Sequence, residues 1–515
     1  MKLVKFLFSR LAIFGIILLL QVIWLFSFVF YLGEYSAIIH GVLTLLSIGV
    51  TLWIVYLDEN PAYKLAWIVP ILLFPLFGGL LYLAMGNKRP RRKFKQQEKY
   101  LRENATIALN QDPSVVKEIE EQGGYAVGQV HYLSKKVGYP IYKNTDVKYY
   151  SIGEDYFEDL IYELKQAKHF IFMEYFIVAE GYMWNTILDI LVEKVKEGVE
   201  VRFIYDDVGC VSIIPYHYDR KLEAMGIQCI AFNPFVPFLS MAMNNRDHRK
   251  ITVIDGHTGF TGGINLADEY INRKVRFGHW KDTGMCIKGD AVWNLTVMFL
   301  KMWNFNRPSD KDFTPFHVDA YRMECMPMRG KTYSDGYVLP FGDSPLDNEV
   351  TSENTYMNII NGALRYVYIF TPYLIIDFEM TRALCLAARR GVDVRIVTPG
   401  IPDKKTVYGL TRSYYQELLE HGVKIYEYSP GFLHAKCFVC DDEIATVGTI
   451  NMDYRSLYLH FECGIYLYRN SVISEIKQDI LATISKSKQV TLEMSKKGKA
   501  FSLFRAILRL FAPLM

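Results

Sequence analysis

Two related α/β lobes closing around one active site, preceded by transmembrane helices, are the architecture this 515-residue sequence predicts. Three observations predict it. The chain opens with long uncharged stretches. Beyond residue 100, short apolar runs alternate with charged amphipathic stretches, the pattern of strands covered by helices. That second region also repeats itself, with one sparse signature occurring twice at matching positions.

Whole-chain averages conceal this organisation. The chain is 22% charged and 51% apolar with a formal net charge of +3, and its apolar residues concentrate at one end. A near-neutral total argues against a surface coated in basic charge, so no nucleic acid is expected as a partner. Eight cysteines with no dense regular spacing give no disulfide scaffold and are compatible with a reducing compartment. Cys437 and Cys440 form a CxxC inside the apolar run Lys436-Cys-Phe-Val-Cys440, without turn residues or a second cysteine pair, so no structural zinc is expected there.

The uncharged stretches are Leu11 to Gly33, Ala37 to Leu57 and Leu65 to Gly86, each about the 20 residues a helix needs to cross a bilayer. Lys2, Lys5 and Arg10 ahead of the first imitate a signal peptide, but no small-residue cleavage site follows and further apolar stretches do. Retained membrane anchors are therefore expected. Pro70 and Pro75 make the third either a kinked span or a segment that does not fully cross. Lys88, Arg89, Arg91, Arg92, Lys93 and Lys95 follow at once, and this dense basic run places the large remainder on the cytoplasmic face of the cell membrane. The same run could attract anionic headgroups or simply stop transfer. Near the end, Phe501 to Phe511 carries Arg505 and Arg509 on one helical face, as either an interfacial helix or a tail packed against the soluble domain. The expected domains are an anchor over 1–95, a first lobe over 96–309 and a second over 310–515.

The repeat can be followed element by element. Lys168-His-Phe-Ile-Phe-Met-Glu-Tyr-Phe-Ile-Val178 predicts a buried strand, then a helix, then the turn and strand Gly198-Val-Glu-Val-Arg-Phe-Ile-Tyr205. Arg365-Tyr-Val-Tyr-Ile-Phe370, a helical segment and Gly391-Val-Asp-Val-Arg-Ile-Val397 give the same order in the second half. Each half then carries a longer signature. His248, Lys250, Asp255, Gly262 and Asn265 in the first are matched at identical spacing by His434, Lys436, Asp441, Gly448 and Asn451 in the second.

On a strand, residues two apart share a face, so each His-X-Lys offers an imidazole and an ammonium together. One copy supplies a nucleophile without a leaving-group acid. Two copies facing each other supply two imidazoles, two ammonium groups and two amides around one anion. That set suits phosphodiester exchange through a covalent phosphohistidine: one neutral histidine attacks phosphorus and the other, protonated, donates to the departing alkoxide. Lys250 and Lys436 would neutralise the nonbridging oxygens, with Asn265 and Asn451 donating further hydrogen bonds. Asp255 and Asp441 are expected to hold a histidine or lysine in place, because their charge would repel a phosphate. Gly262, Gly263 and Gly448 would allow close backbone approach beside the pocket. Lysines and amides stand where a carboxylate-rich metal site would place ligands, so no catalytic metal and no cofactor are expected.

Further stretches carry a resemblance: Asp247-His-Arg-Lys250, Asp255-Gly256, Thr261-Gly-Gly-Ile-Asn265, Trp280-Lys-Asp282, Ile287-Lys-Gly289 and Trp303, then Phe370-Thr-Pro-Tyr373, His434-Ala-Lys436 and Gly448 to Ser456. Over essentially the full chain the sequence resembles the phospholipase D superfamily, defined by two HxKxxxxD motifs, and more closely the bacterial cardiolipin synthases. The resemblance implies two phospholipase D-like lobes and transfer of a phosphatidyl group from one phosphatidylglycerol to the terminal hydroxyl of another. Phosphatidylglycerol and anionic membrane lipids are then the partners, with the oligomeric state left open. It implies His248 as nucleophile and His434 as acid, then base. Glu174 and Tyr373 match residues near the family pocket and are expected to orient catalytic groups or glycerol hydroxyls. In Leu459-His-Phe-Glu462 the glutamate matches, whereas His460 stands where the family run has asparagine, a change that bears on acceptor positioning or local packing. A membrane phospholipase D using water as acceptor is the alternative reading; a phosphodiester nuclease and a nonenzymatic scaffold rank below it.

Overall fold

The computed structural model describes residues 37–86, 92–234, 244–307, 313–317, 335–347, 349–496 and 506–514, with scattered positions before 37 and residue 319. The chain forms two compact units. One comprises Met1–Arg91, Asn233–Asn245 and Gly498–Met515, and the other Arg92–Phe232 and Arg246–Lys497.

In the first unit, helices cover Ala37–Tyr56, Pro61–Leu73 and Pro75–Met85. Asn60 caps the second by accepting a hydrogen bond from the Ala62 amide at 2.9 Å, with Pro61 in the first turn where its missing N–H is not needed. The third uncharged stretch breaks at Phe74, which leaves helical geometry at φ −130° before Pro75 begins a new helix; Pro70 lies inside the preceding one. Among the described residues no helix is long and apolar enough to cross a membrane, so the expected transmembrane preamble is not reproduced as three spans. The first stretch lies largely outside the described residues. The second forms a 20-residue helix whose sequence includes His40, Thr44, Ser47 and Thr51, and the third becomes helices of 13 and 11 residues. Val50, Ile54, Trp67 and Ile71 pack together, while Leu45, Leu52, Trp53 and Val55 stay exposed. Lys88, Arg89 and Arg91 lie outside the described residues, as do 501–505 of the C-terminal segment; residues 506–511 are helical.

The second unit holds both lobes. Its first sheet uses β1 (Thr145–Tyr150), β2 (Phe170–Tyr175), β3 (Glu200–Asp206), β4 (Gln228–Phe232), β5 (Ile251–Ile254) and β6 (Thr258–Gly262). After the short β7 (His279–Lys281) it is completed by β8 (Gly284–Gly289). The second half contributes β9 (Tyr337–Asp343), β10 (Tyr366–Phe370), β11 (Leu374–Ile375), β12 (Asp393–Pro399), β13 (Lys424–Tyr428) and β14 (Gly431–Leu433). It continues through β15 (Cys437–Cys440), β16 (Ile444–Gly448), β17 (Met452–Asp453), β18 (Glu462–Tyr468) and β19 (Ser487–Val490).

The repeat is preserved in topology. Sheet order is β1-β8-β6-β5-β2-β3-β4 in the first lobe and β9-β18-β16-β15-β10-β12-β13 in the second, where β19 adds one further edge strand. In both, the run from the first edge strand to the central strand (β2 or β10) is antiparallel, and the next two pairings are parallel. Parallel neighbours need crossovers, and the helices Tyr182–Lys196 and Phe378–Arg389 supply the equivalent first ones. Central strands such as Phe170-Ile-Phe-Met-Glu-Tyr175 are buried at every position because both faces are covered. Helix Tyr182–Lys196 turns Met183, Trp184, Ile187, Ile190 and Leu191 inward at helical spacing. Between the lobes, the helix Val292–Asn306 is buried on nearly all sides and packs on β2 and β5 of one sheet and β9 of the other. Its Asn294 amide donates to the carbonyls of Pro140 and Pro340, tying the two halves at one buried point.

Candidate active site

Each His-X-Lys leads directly into the strand that follows it, His248-Arg-Lys250 into β5 and His434-Ala-Lys436 into β15. Alternation sends Arg249 to the opposite side, where it pairs with Glu174 at 2.6 Å and Asp247 at 3.2 Å. The lysines fold back on their own histidines: Lys250 Nζ donates to the His248 carbonyl, and Lys436 Nζ donates to the His434 carbonyl and lies 2.9 Å from His434 Nδ1.

Each lead-in pairs with the other lobe. The His248 amide donates to the Phe461 carbonyl at 3.0 Å, and the His434 amide to the Lys281 carbonyl at 2.7 Å. The next residue in each partner segment is an acid. Glu462 Oε1 lies 2.9 Å from His248 Nδ1, and Asp282 Oδ2 lies 2.6 Å from His434 Nδ1. A carboxylate at Nδ1 keeps the proton on that nitrogen and leaves the lone pair on Nε2, the form able to attack phosphorus. The acids are held in turn. Asp282 Oδ1 accepts from the Thr283 amide at 2.9 Å, and Glu462 Oε2 accepts from Thr449 Oγ1. Gly263 makes room for Asp282, since a Cβ there would stand 2.0 Å from Oδ1. Gly262 and Gly448 let neighbouring strands approach, as a Cβ would meet Thr283 O at 2.5 Å and Cys463 O at 2.4 Å. Aromatic rings wall the histidines: Phe176 lies 5.0 Å from His248, and Tyr270 and Trp280 each lie 5.5 Å from His434.

Burial and crowded positive charge set the electrostatics. Burial first, then the charges of Lys250, Lys436 and His434, hold His248 well below the usual imidazole range. Burial and Lys436 lower His434 to about 4 against the pull of Asp282. Burial brings Lys250 down to about 8 and Lys436 to about 7. Burial alone would raise Asp282, yet His434 and Lys436 keep it below the ordinary carboxylate range. Each histidine feels the lysine of the other motif, so the two copies form one site, with neutral imidazoles and an electropositive interior.

The structure revises the expectation for both aspartates. Asp255 follows His248 by seven positions, roughly 20 Å along an extended chain. It sits at the far turn of the β5–β6 hairpin at φ 51° and accepts hydrogen bonds from the amides of Lys168, His169 and Phe170 at 2.8, 2.8 and 2.9 Å. Asp441, at φ 54°, does the same for Leu364, Arg365 and Tyr366 at 2.6, 2.8 and 2.8 Å. These carboxylates clamp the hairpin to the start of the central strand and bond to none of His248, Lys250, His434 and Lys436. Asp255→Ala is therefore expected to lower stability by about 3 kcal/mol, through loss of a buried charged acceptor shared by three amides. The measurement is the denaturant midpoint, with turnover per folded molecule unchanged; a turnover loss without destabilisation would contradict it.

The accessory residues divide similarly. Asn265 accepts from the Ile177 amide at 2.9 Å and donates to Tyr270 Oη at 2.8 Å, so its amide reaches His434 through the Tyr270 ring. Asn451 is buried with Oδ1 unbonded within the chain. Glu174 lies on the Arg249 side of its strand, away from the histidines, and its carboxyl is pushed well above the ordinary range by burial and Asp247, against the attraction of Arg249. The expected pocket role of Glu174 thus gives way to a buried contact with Arg249. Tyr373 is half-buried and donates to Asp403 at 2.7 Å. Cys437 and Cys440 bond to different partners, Thr283 and Tyr125 respectively.

Asp282 and Glu462 are the functional residues that sequence reasoning did not assign. A signal for them existed: Asp282-Thr-Gly284 and Glu462-Cys-Gly464 place an acid two before a glycine, and these glycines pair with Gly262 and Gly448. His460 stands beside Glu462, its ring 5.5 Å from that of His248. His248, His460 and Glu462 are, among the described residues, the group whose side chains could share a metal ion.

Residues 160–283 and 356–483 match the family described as "Cardiolipin synthase, PLD-like domain", and residues 45–87 match the phospholipase D-nuclease N-terminal family. An uncharacterized protein of Streptococcus mutans is 44% identical over 469 residues, 91% of this chain and 100% of that one. A cardiolipin synthase of Alkalihalophilus pseudofirmus is 34% identical over 92% of this chain and 93% of its own. The fold is similar to that of a phosphatidylserine synthase from Haemophilus influenzae, with a TM-score of 0.51 and 14% identity over 72% of this chain and 93% of the other. With paired His-X-Lys motifs joined in one site and relatives matched almost end to end, the chain belongs to the cardiolipin synthase family of phospholipase D-like proteins.

Proposed function

We propose that the protein is a cardiolipin synthase, converting two phosphatidylglycerol molecules to cardiolipin and glycerol. The observation that carries this reading is the pair of buried histidines, each with a carboxylate at Nδ1 and a lysine beside it. His248 Nε2 attacks the phosphorus of the first phosphatidylglycerol. As the N–P bond forms, the P–O bond to the headgroup glycerol breaks, and His434 gives that oxygen a proton. In the empty site burial keeps His434 neutral, but an entering phosphodiester adds negative charge that, with Asp282, favours imidazolium. Lys250 and Lys436 balance the oxyanion as phosphorus becomes pentacoordinate. The terminal hydroxyl of a second phosphatidylglycerol then attacks, His434 takes its proton, and the N–P bond breaks to free His248. Tyr373, Asn265 and Asn451 serve as positioning groups around this centre.

Membrane attachment through residues 1–95 supports access to lipid, and exposed Leu45, Leu52, Trp53 and Val55 suit an apolar surrounding. The basic run from Lys88 to Lys95 favours a catalytic unit on the cytoplasmic face.

The test incubates purified full-length protein in liposomes with headgroup-labelled phosphatidylglycerol and quantifies cardiolipin, phosphatidic acid and glycerol. Cardiolipin with matching glycerol release is expected; phosphatidic acid without cardiolipin would make water the acceptor and overturn the reading. The same assay carries a pH dependence. Lys250 and Lys436 are protonated below about 8 and 7, so raising the pH through that range strips positive charge from the empty site. KM for phosphatidylglycerol is expected to rise accordingly.

A further inference from the structure

His460 is 9% exposed, and neither ring nitrogen makes a hydrogen bond within the chain. A buried polar group left in this state is disfavoured, which calls for a ligand able to use it. Its Nδ1 lies 3.8 Å from Glu462 Oε1, beyond hydrogen-bond reach, and the same oxygen lies 2.9 Å from His248 Nδ1. One donor atom from each of the three residues falls within 4.8 Å of the others. Thr449 donates to the second glutamate oxygen, which lies 3.1 Å from His248 Nδ1, so Oε1 is the oxygen that faces both imidazoles.

Two imidazoles and one carboxylate form a donor set that zinc accepts in four-coordinate sites with one open position, whereas magnesium and calcium prefer oxygen alone. Metal–ligand bonds of about 2.0–2.2 Å place tetrahedral donors ~3.4 Å apart, and the separations of 2.9 and 3.8 Å lie either side of that value. We propose that His248, His460 and Glu462 form a reversible inhibitory site for Zn2+ or a similar borderline transition-metal ion.

The inhibition follows from which nitrogen the metal takes. Bound at His248 Nδ1, the ion occupies the position of the proton now shared with Glu462, and that proton moves to Nε2. The lone pair that would attack phosphorus is then an N–H, and Glu462 serves the metal instead of the histidine. This inhibitory consequence rests on the proposed role of His248, whereas metal binding does not.

The test uses the full-length protein in detergent with Zn2+ alone, with Co2+ as a spectroscopic probe, and compares wild type with His460→Asn, which restores the residue type of the family run. Wild type is expected to bind one Zn2+ in competition with Co2+, and Co2+ to give the visible absorption of a four-coordinate nitrogen and oxygen site. Turnover should fall at least tenfold at saturating Zn2+ and return on chelation, with Mg2+ without effect. His460→Asn should need at least tenfold more Zn2+ for both binding and inhibition, with inhibition measured against the variant's own metal-free turnover. His460→Gln serves in its place should the asparagine variant not fold. Equal Zn2+ sensitivity in wild type and variant, or no Co2+ absorption in wild type, would overturn the proposal. Co2+ absorption that depends on His460 in a protein without synthase activity would uphold the site and reject the functional reading instead.

Discussion

Alanine at position 248 is expected to reduce cardiolipin formation by a factor on the order of 10⁴ or more, with alanine at 434 causing a loss of similar scale. The two losses have different chemical origins, and a change of leaving group separates them. A phosphatidyl donor carrying p-nitrophenol needs no proton to release it, so His434→Ala should still form the phosphohistidine rapidly from that donor and then stall before acceptor attack. His248→Ala should form no adduct from any donor. Trapping phosphate-labelled protein after acid-free quench reads both outcomes. Label on His434 in the His248→Ala protein would reverse the assigned roles while leaving the two-histidine chemistry intact.

Asp282→Asn and Glu462→Gln are expected to lower kcat by about 10²- to 10⁴-fold with KM little changed. An amide in either place can offer its NH2 to Nδ1. The histidine then keeps its proton on Nε2, where neither attack on phosphorus nor acceptance of a proton is possible. The effect should cross the lobes: Glu462→Gln disables His248 and Asp282→Asn disables His434. Adduct formation from the p-nitrophenol donor should fail in Glu462→Gln and persist in Asp282→Asn. If both variants label at the wild-type rate, the carboxylates do not set the tautomer.

The parts legible in the sequence are those encoded within one copy of the repeat. Strand, helix, Gly-Val-X-Val-Arg and strand recur with the spacing of the local backbone, and both sheets follow from it with the same strand order. His248, Lys250, His434 and Lys436 were legible because residues two apart on extended backbone share a face. Asp255 and Asp441 belong to the same signature, but their constancy of spacing reflects hairpin length; the four-residue strands β5 and β15 carry them to the other end. The acids that orient the histidines lie in the opposite copy, so no spacing within a half connects them. Glu174 matched a pocket position by sequence, yet strand alternation turned it toward Arg249. The same alternation separates Cys437 from Cys440, since positions three apart on a strand point to opposite faces.

The exchange of acids between lobes also fixes when the enzyme comes into being. During synthesis the first lobe can fold as it leaves the ribosome, and its strand β5 already carries His248 and Lys250. Glu462, the partner of His248, lies close to the end of the 515-residue chain. Until translation has passed that residue and β18 has docked, His248 lacks its carboxylate partner. A nascent or prematurely terminated chain therefore carries an intact first motif without its carboxylate partner, and the two-lobed site is complete only when the second lobe is finished.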